Sequence, residues 1–255
     1  MSGGGARLSI SVFNRELERG WQRMNSDNGQ SNIGHWKSDS LTAVIFDLDG
    51  VIVDSEPVHE RAFRDVFAAI GHAATHGVHF PDYYGKSDVT VWKDFVARHR
   101  PPEPLDELVE QKQRRFLEIL RESKPVFDAL PALVASLAGR FKLAVASGSP
   151  HVVIDAVLGM EDLRRRFGAV VSADDVARGK PAPDVFLEAA RRLGVAAAAC
   201  CVIEDSVAGV QGARAAGMQV IGITTSFPRE ALAAAGAHHV VSRHADAGAL
   251  LAPGE

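Results

Sequence analysis

The chain predicts an α/β fold: a doubly wound parallel sheet interrupted by one inserted helical domain. Three observations predict it. Short runs that are apolar throughout alternate with helical patterns, as parallel strands covered on both faces require. One interval after the first run holds helical patterns and no convincing strand. Polar residues with chemical potential stand directly after several runs, where open parallel sheets bind their ligands.

Residues 1–40 come first and are expected to be a flexible extension. The stretch "MNSDNGQSNIGHWKSDS" is polar and has too little apolar surface to order itself. Phe13, Leu17, Trp21 and Met24 recur at helical spacing, so a short docking helix is the competing expectation. The pattern changes at Thr42. The apolar runs are "AVIFDL", "KLAVAS", "AVVSA", "CVIEDS", "QVIGIT" and "HHVVS". Helical patterns such as "PDVFLEAARRLG" and "SVAGVQGARAAG" separate them. Right-handed crossovers then wind the chain into a Rossmann-like core, expected over 41–54 and 126–255. Between them, 55–125 is expected to form a helical domain, because about 70 residues is too long for a loop. "EPVHERAFRDVFAAIG" and "LDELVEQKQRRFLEIL" carry apolar faces at spacings of three and four.

Composition excludes several classes. The chain has 255 residues, 46% of them hydrophobic, which is ample for a core. A net charge of −4 gives no electrostatic case for nucleic acid or an anionic membrane. No run of about 18 apolar residues suggests a span. The first residues lack the apolar segment of an export signal. Cys200 and Cys201 sit within an apolar run and read as small core residues in a reducing compartment. A soluble cytoplasmic protein is expected, acting as a monomer.

The strand ends carry the chemistry. The first delivers Asp47 and Asp49, the second Ser147 in "ASGSPH". Lys180 in "RGKPAPD" follows the third, and Glu204 and Asp205 in "IEDS" end the fourth. Four carboxylates without a nearby histidine or cysteine suit a hard cation, and Mg²⁺ is the expected one. A lysine and a hydroxyl suit a phosphoryl group. Aspartate can attack phosphorus and form an aspartyl phosphate. A second Asp two residues on can exchange protons with the leaving and attacking oxygens. Gly50 would allow a sharp turn between them. The competing bland readings are a strand-end turn for the Asp pair, a helix cap for Ser147, and an outer supporting role for Glu204 behind the ion.

"DLDGVIVDSE", "ASGSPH", "GKPAPD" and "IEDSVAGVQGARAAG" resemble, in order, the four signature segments of the haloacid dehalogenase superfamily. The similarity covers about residues 40 to 245. It is closest to the branch with a helical cap after the first strand, which includes sugar-phosphate phosphatases and β-phosphoglucomutase. The resemblance implies that Asp47 is the nucleophile and Asp49 the general acid/base. It implies that Ser147, Gly148 and Lys180 hold the phosphoryl group. Mg²⁺ would be bound by Asp47, the main-chain carbonyl of Asp49, Glu204 and Asp205. In the cap, His59 matches a histidine of this branch, and Lys112 aligns with a mutase lysine.

The same resemblance separates two activities. In "YYGKSDVT", residues 83–90, the mutase carries an arginine where this chain has Asp88. An acid there should repel a second phosphate, with Lys86 as partial compensation. The expectation is therefore a Mg²⁺-dependent phosphatase of a small phosphorylated metabolite, a sugar phosphate. A phosphomutase is the alternative, and a non-catalytic phospho-receiver ranks below both. Gly209, Gly212 and Gly217 are read as helix–sheet packing glycines, since they do not open the first strand–helix turn.

Overall fold

The computed structural model describes Trp36, residues 40–83 and residues 87–252. The docking helix considered for the N-terminal extension lies outside the described residues. Six strands form one parallel sheet: β1 (Ala43–Phe46), β2 (Lys142–Ala146), β3 (Ala169–Val171), β4 (Cys200–Glu204), β5 (Gln219–Ile223) and β6 (His239–Val241). Their order is β3-β2-β1-β4-β5-β6, and every pair is parallel. The chain moves outward from β1 to β3, returns to β4 on the other flank of β1, and continues to β6. The order therefore reverses between β1 and β4, which is where such sheets open a crevice.

Strand residues alternate between two cores, because successive side chains point to opposite faces. Val44, Phe46, Leu143, Val145, Cys201 and Ile203 face one core. Ala43, Ile45, Ala144, Ala146, Cys200 and Val202 face the other. Helices α4 (Leu130–Ala138), α5 (His151–Leu158) and α9 (His244–Leu250) cover the first face. Helices α6 (Asp184–Leu193), α7 (Val207–Ala215) and α8 (Arg229–Ala234) cover the second. Two buried faces explain why the strands read as continuous apolar runs. Local signals close the helices: α6 ends on Gly194 in the left-handed region, and Ser206 caps α7 by accepting the Gly209 amide.

Between β1 and α4 lie three helices, α1 (Glu56–Ala69), α2 (Asp88–His99) and α3 (Leu105–Ser123), with no strand among the described residues. Pro57 stands in the first turn of α1, where its missing N–H costs nothing. Phe63, Val66, Phe67, Phe80, Val91, Trp92, Phe95 and Leu108 form a separate apolar cluster. The base of the insertion joins the sheet core through Val58, Ala62, Phe116, Ile119 and Leu120. The two connecting strands of chain run side by side, with Val53 bridging Val126 and the Asp54 amide donating to Pro125. His76 stacks on Phe67 at 4.8 Å and His72 meets Phe95 edge-on at 5.1 Å. These histidines serve as ring surfaces in the aromatic packing.

Candidate active site

The reversal point collects the acids. Asp47 directly follows the central strand, and its amide extends the ladder by donating to Ile203 O at 3.0 Å. Asp49 lies in the tight turn that follows, with Leu48 O accepting from the amides of Val51, Ile52 and Val53. Gly50 has φ +71°, and a Cβ there would collide with the Asp205 carboxylate. Only glycine fits, both for its backbone and for its neighbour. On the adjacent strand, Glu204 ends β4 and Asp205 follows it. Gly209 plays the same role for Glu204, since a Cβ at that position would meet the Glu204 carboxylate.

Lys180 ties the two strand ends together. Its Nζ donates to Asp47 Oδ1 at 2.7 Å and to Glu204 Oε1 at 2.6 Å. Glu204 Oε2 accepts from the amide and hydroxyl of Ser206, at 2.8 and 2.9 Å. Asp205 Oδ2 accepts from the Ser226 hydroxyl. Thr225 secures the turn by donating to Gly50 O at 2.6 Å. Ser149 donates to Asp49 Oδ2 at 2.7 Å, while Asp49 Oδ1 is buried and has no partner among the described residues.

Burial dominates the titration of this cluster. It pushes the Asp47 carboxyl up to about 7, with Lys180 opposing and Glu204 and Asp49 adding to the rise. Asp205 is held well above the carboxylate range by burial, then by Glu204 and Asp47. Burial works against the charge of Lys180, but Asp47 and Glu204 outweigh it and raise its pKa. One atom each of Asp47, Glu204 and Asp205 lies within 4.8 Å of the others. Three carboxylates against one ammonium leave a net −2 when all are ionised. Oxygen donors, compactness and a doubly negative deficit fit a small divalent cation such as Mg²⁺.

These groups border a cavity of about 560 Å³ that extends under the inserted helices. Asp47, Asp49, Gly148, Ser149, Lys180 and Asp205 line its floor. Glu56, His59, Glu60, Phe63, Asp88 and Phe116 line the part toward the insertion. His59 stacks on Phe116 at 4.2 Å. Burial and the nearby Lys112 charge lower its pKa to about 4, so the ring is neutral near pH 7. Glu56 goes the other way: burial, then the Asp49 charge, raise it to about 7.

The predicted residues do not all face the cavity. Ser147 is fully buried, and its Oγ accepts from the Ser149 amide. It does not cap α5, whose N-cap is Pro150. Lys112 is also fully buried. Its Nζ donates to Asp88 Oδ2 at 2.6 Å and also meets His59 Nδ1. It sits over the rings of Phe63 and Phe116 at 4.7 and 4.8 Å. Thus the charge of Asp88 is met by Lys112, whereas Lys86 lies outside the described residues. Sequence reasoning missed Ser149, Ser226, Thr225 and Glu56. The second serine of "ASGSPH" and the glutamate of "DSEP" carried the available signal. The hydroxyls of 225–226 had none, because nothing in the chain links β5's end to Asp205.

Comparison with known proteins identifies the family. The sequence model described as haloacid dehalogenase-like hydrolase matches residues 41–217. Hexitol phosphatase B of Escherichia coli (strain K12) is 34% identical over 183 residues, covering 71% of this chain and 82% of that protein. Fructose-1-phosphate phosphatase YqaB of the same strain is 35% identical over 187 residues, covering 71% and 95%. A crystal structure of a CbbY variant from Rhodobacter sphaeroides, in complex with xylulose-(1,5)bisphosphate, superposes with a TM-score of 0.68. Identity to it is 25%, over 82% of this chain and 98% of that one. A match over more than half its length, with relatives above 30% identity, places the chain in the family of haloacid dehalogenase-like hydrolases.

Proposed function

We propose that the protein is a Mg²⁺-dependent phosphatase of small phosphorylated carbohydrates, working through an aspartyl phosphate on Asp47. The observation that carries this reading is the buried junction at the sheet's reversal point. Asp47 is bonded to Lys180 there, Asp205 and Glu204 are within metal-sharing distance, and Asp49 stands at the cavity wall. The named activities of the two Escherichia coli relatives support the substrate class.

Asp47, the Asp49 main-chain carbonyl, Glu204 and Asp205 would hold the ion, which supplies charge neutralisation for the transferring phosphoryl oxygens. Lys180 orients Asp47 through Oδ1 and adds a positive charge beside the reacting phosphorus. A carboxylate oxygen of Asp47 attacks phosphorus, and the ester P–O bond breaks. Asp49 gives its proton to the departing alcohol oxygen. Water then attacks the aspartyl phosphate and passes a proton to Asp49, releasing inorganic phosphate and restoring Asp47. Gly148 and Ser149 border the phosphoryl position, and Ser147 supports that loop from behind. Residues 55–125 act as the cap that closes over the cavity and excludes bulk water.

Phosphate release from p-nitrophenyl phosphate and from sugar monophosphates with Mg²⁺ tests this reading. Multiple turnovers are expected, and Asp47→Asn should lower kcat by at least about 10⁴-fold. Full activity of that variant would refute the nucleophile. Glucose 6-phosphate forming from β-glucose 1-phosphate faster than free phosphate would favour a mutase instead.

A further inference from the structure

The loop that follows β2 is stitched to the loop that follows β3 at alternate residues. The Ser147 amide donates to Val171 O at 3.0 Å, one step beyond the paired strands. The Ser172 hydroxyl donates to Ser149 O at 2.8 Å. His151 Nε2 meets Asp175 Oδ1 at 3.0 Å. Ser172 is fully buried, and its oxygen also accepts the Asp174 amide at 3.1 Å, so its single proton has one destination. Asp175 completes a capping box by accepting the Ser172 amide on Oδ2 at 3.0 Å. Arg192, from α6, reaches the same oxygen at 3.2 Å and donates to Val170 O at 2.7 Å. Burial favours a protonated Asp175, but the hydrogen bonds from His151, Ser172 and Arg192 outweigh it and hold the carboxyl down at about 2.

These bonds converge on Ser149. Its carbonyl is held by Ser172 and its amide by Ser147 Oγ at 2.9 Å, which leaves its hydroxyl for Asp49 Oδ2 at 2.7 Å. Pro150 follows and has no amide to bind elsewhere. Asp49 Oδ1 has no partner among the described residues, so it is the oxygen left to face a leaving group. Asp49 and Ser149 line the cavity, whereas Ser172 and Asp175 do not.

We propose that Ser172 and Asp175 are positioning residues for the acid/base: they fix Ser149 so that its hydroxyl holds Asp49 in line with the departing oxygen. This inference rests on the phosphatase reading above and deepens it. Residues that act through Asp49 matter only where the leaving group needs a proton. A sugar hydroxyl departs as a strongly basic alkoxide unless it is protonated, whereas p-nitrophenolate departs unaided.

The test compares kcat/KM with Mg²⁺ for p-nitrophenyl phosphate and for the sugar monophosphate that turns over fastest, since this ratio includes the step in which the alcohol departs. Ser172→Ala should lower the sugar-phosphate value about tenfold, a part of the about 10²–10⁴-fold that a general acid supplies. The value for p-nitrophenyl phosphate should stay within about twofold. Asp175→Asn keeps the side chain's size and should give the same split if Ser172→Ala does not fold, as read by circular dichroism. Ser149→Ala and the double variant Ser149→Ala/Ser172→Ala should show equal splits, because one residue acts through the other. An equal loss on both esters in folded variants would mean a displaced phosphoryl pocket and would overturn the inference alone. So would no loss at all, or a double variant whose losses add. No phosphate from any sugar monophosphate with the unaltered protein would overturn the carbohydrate phosphatase reading and this inference with it.

Discussion

Ser149 shows how much of a site rests on a single hydroxyl. It fixes one oxygen of Asp49 and, through its amide, engages Ser147 Oγ. Ser149→Ala should lower kcat about tenfold with KM little changed, because a proton donor loses its aim. Steady-state kinetics beside an unchanged thermal melt would check it. Glu56 gives a pH signature. Its carboxyl keeps its proton up to about 7 in the folded protein, against 4.5 ordinarily. The associated stability is full below about 4.5 and is lost as pH rises through 7. Glutamine cannot titrate, so Glu56→Gln should gain on the wild type by a few degrees in Tm between pH 5 and pH 8. Melting curves of the metal-free proteins at both values decide it. Asp47, Asp49 and Asp205 were legible in the sequence because an apolar strand run leads straight into each, whereas Lys180 stands beyond the polar stretch "SADDVARG" and was picked out by the segment "GKPAPD". Ser226 was not, since its contact with Asp205 exists only once β4 and β5 pair.

The elements divide the labour between framework and enclosure. Strands were readable because double burial makes them apolar throughout. Helix α2 was not singled out, because its buried stripe is narrow: Val91, Trp92 and Phe95. Yet Trp92 is fully buried among Phe63, Phe67 and Phe95, with ring centroids 5.0 to 5.7 Å away. Trp92→Ala should cost about 3–5 kcal/mol of stability, measured by urea unfolding. The position of Lys112 was also readable in principle. Leu108, Lys112 and Phe116 recur every four residues along α3, so the lysine falls on the buried stripe. A buried ammonium needs a partner, and Asp88 supplies it from α2.

At the level of the molecule, the strand order converts distant segments into one charged junction. Alternating runs disclose a parallel sheet but not its order, which depends on where each crossover returns. The return of β4 beside β1 brings Glu204 and Asp205 to Asp47. The net −2 left there should make folding sensitive to divalent cations. Mg²⁺ at about 100 times its Kd should stabilise by about 2.7 kcal/mol. Tm should rise on adding Mg²⁺ and fall with a chelator, and Asp205→Asn should blunt the rise. Differential scanning fluorimetry reads both effects.

Cys200 and Cys201, next to each other on β4, face different cores. The sheet thus stands as a wall between two sulfurs joined by one peptide bond. They cannot bridge to each other while the strand is extended, and burial keeps both thiols protonated at neutral pH. Each sulfur is a private witness to the opening of its own helical layer, so one sequence position to the left or right selects which half of the interior is being watched.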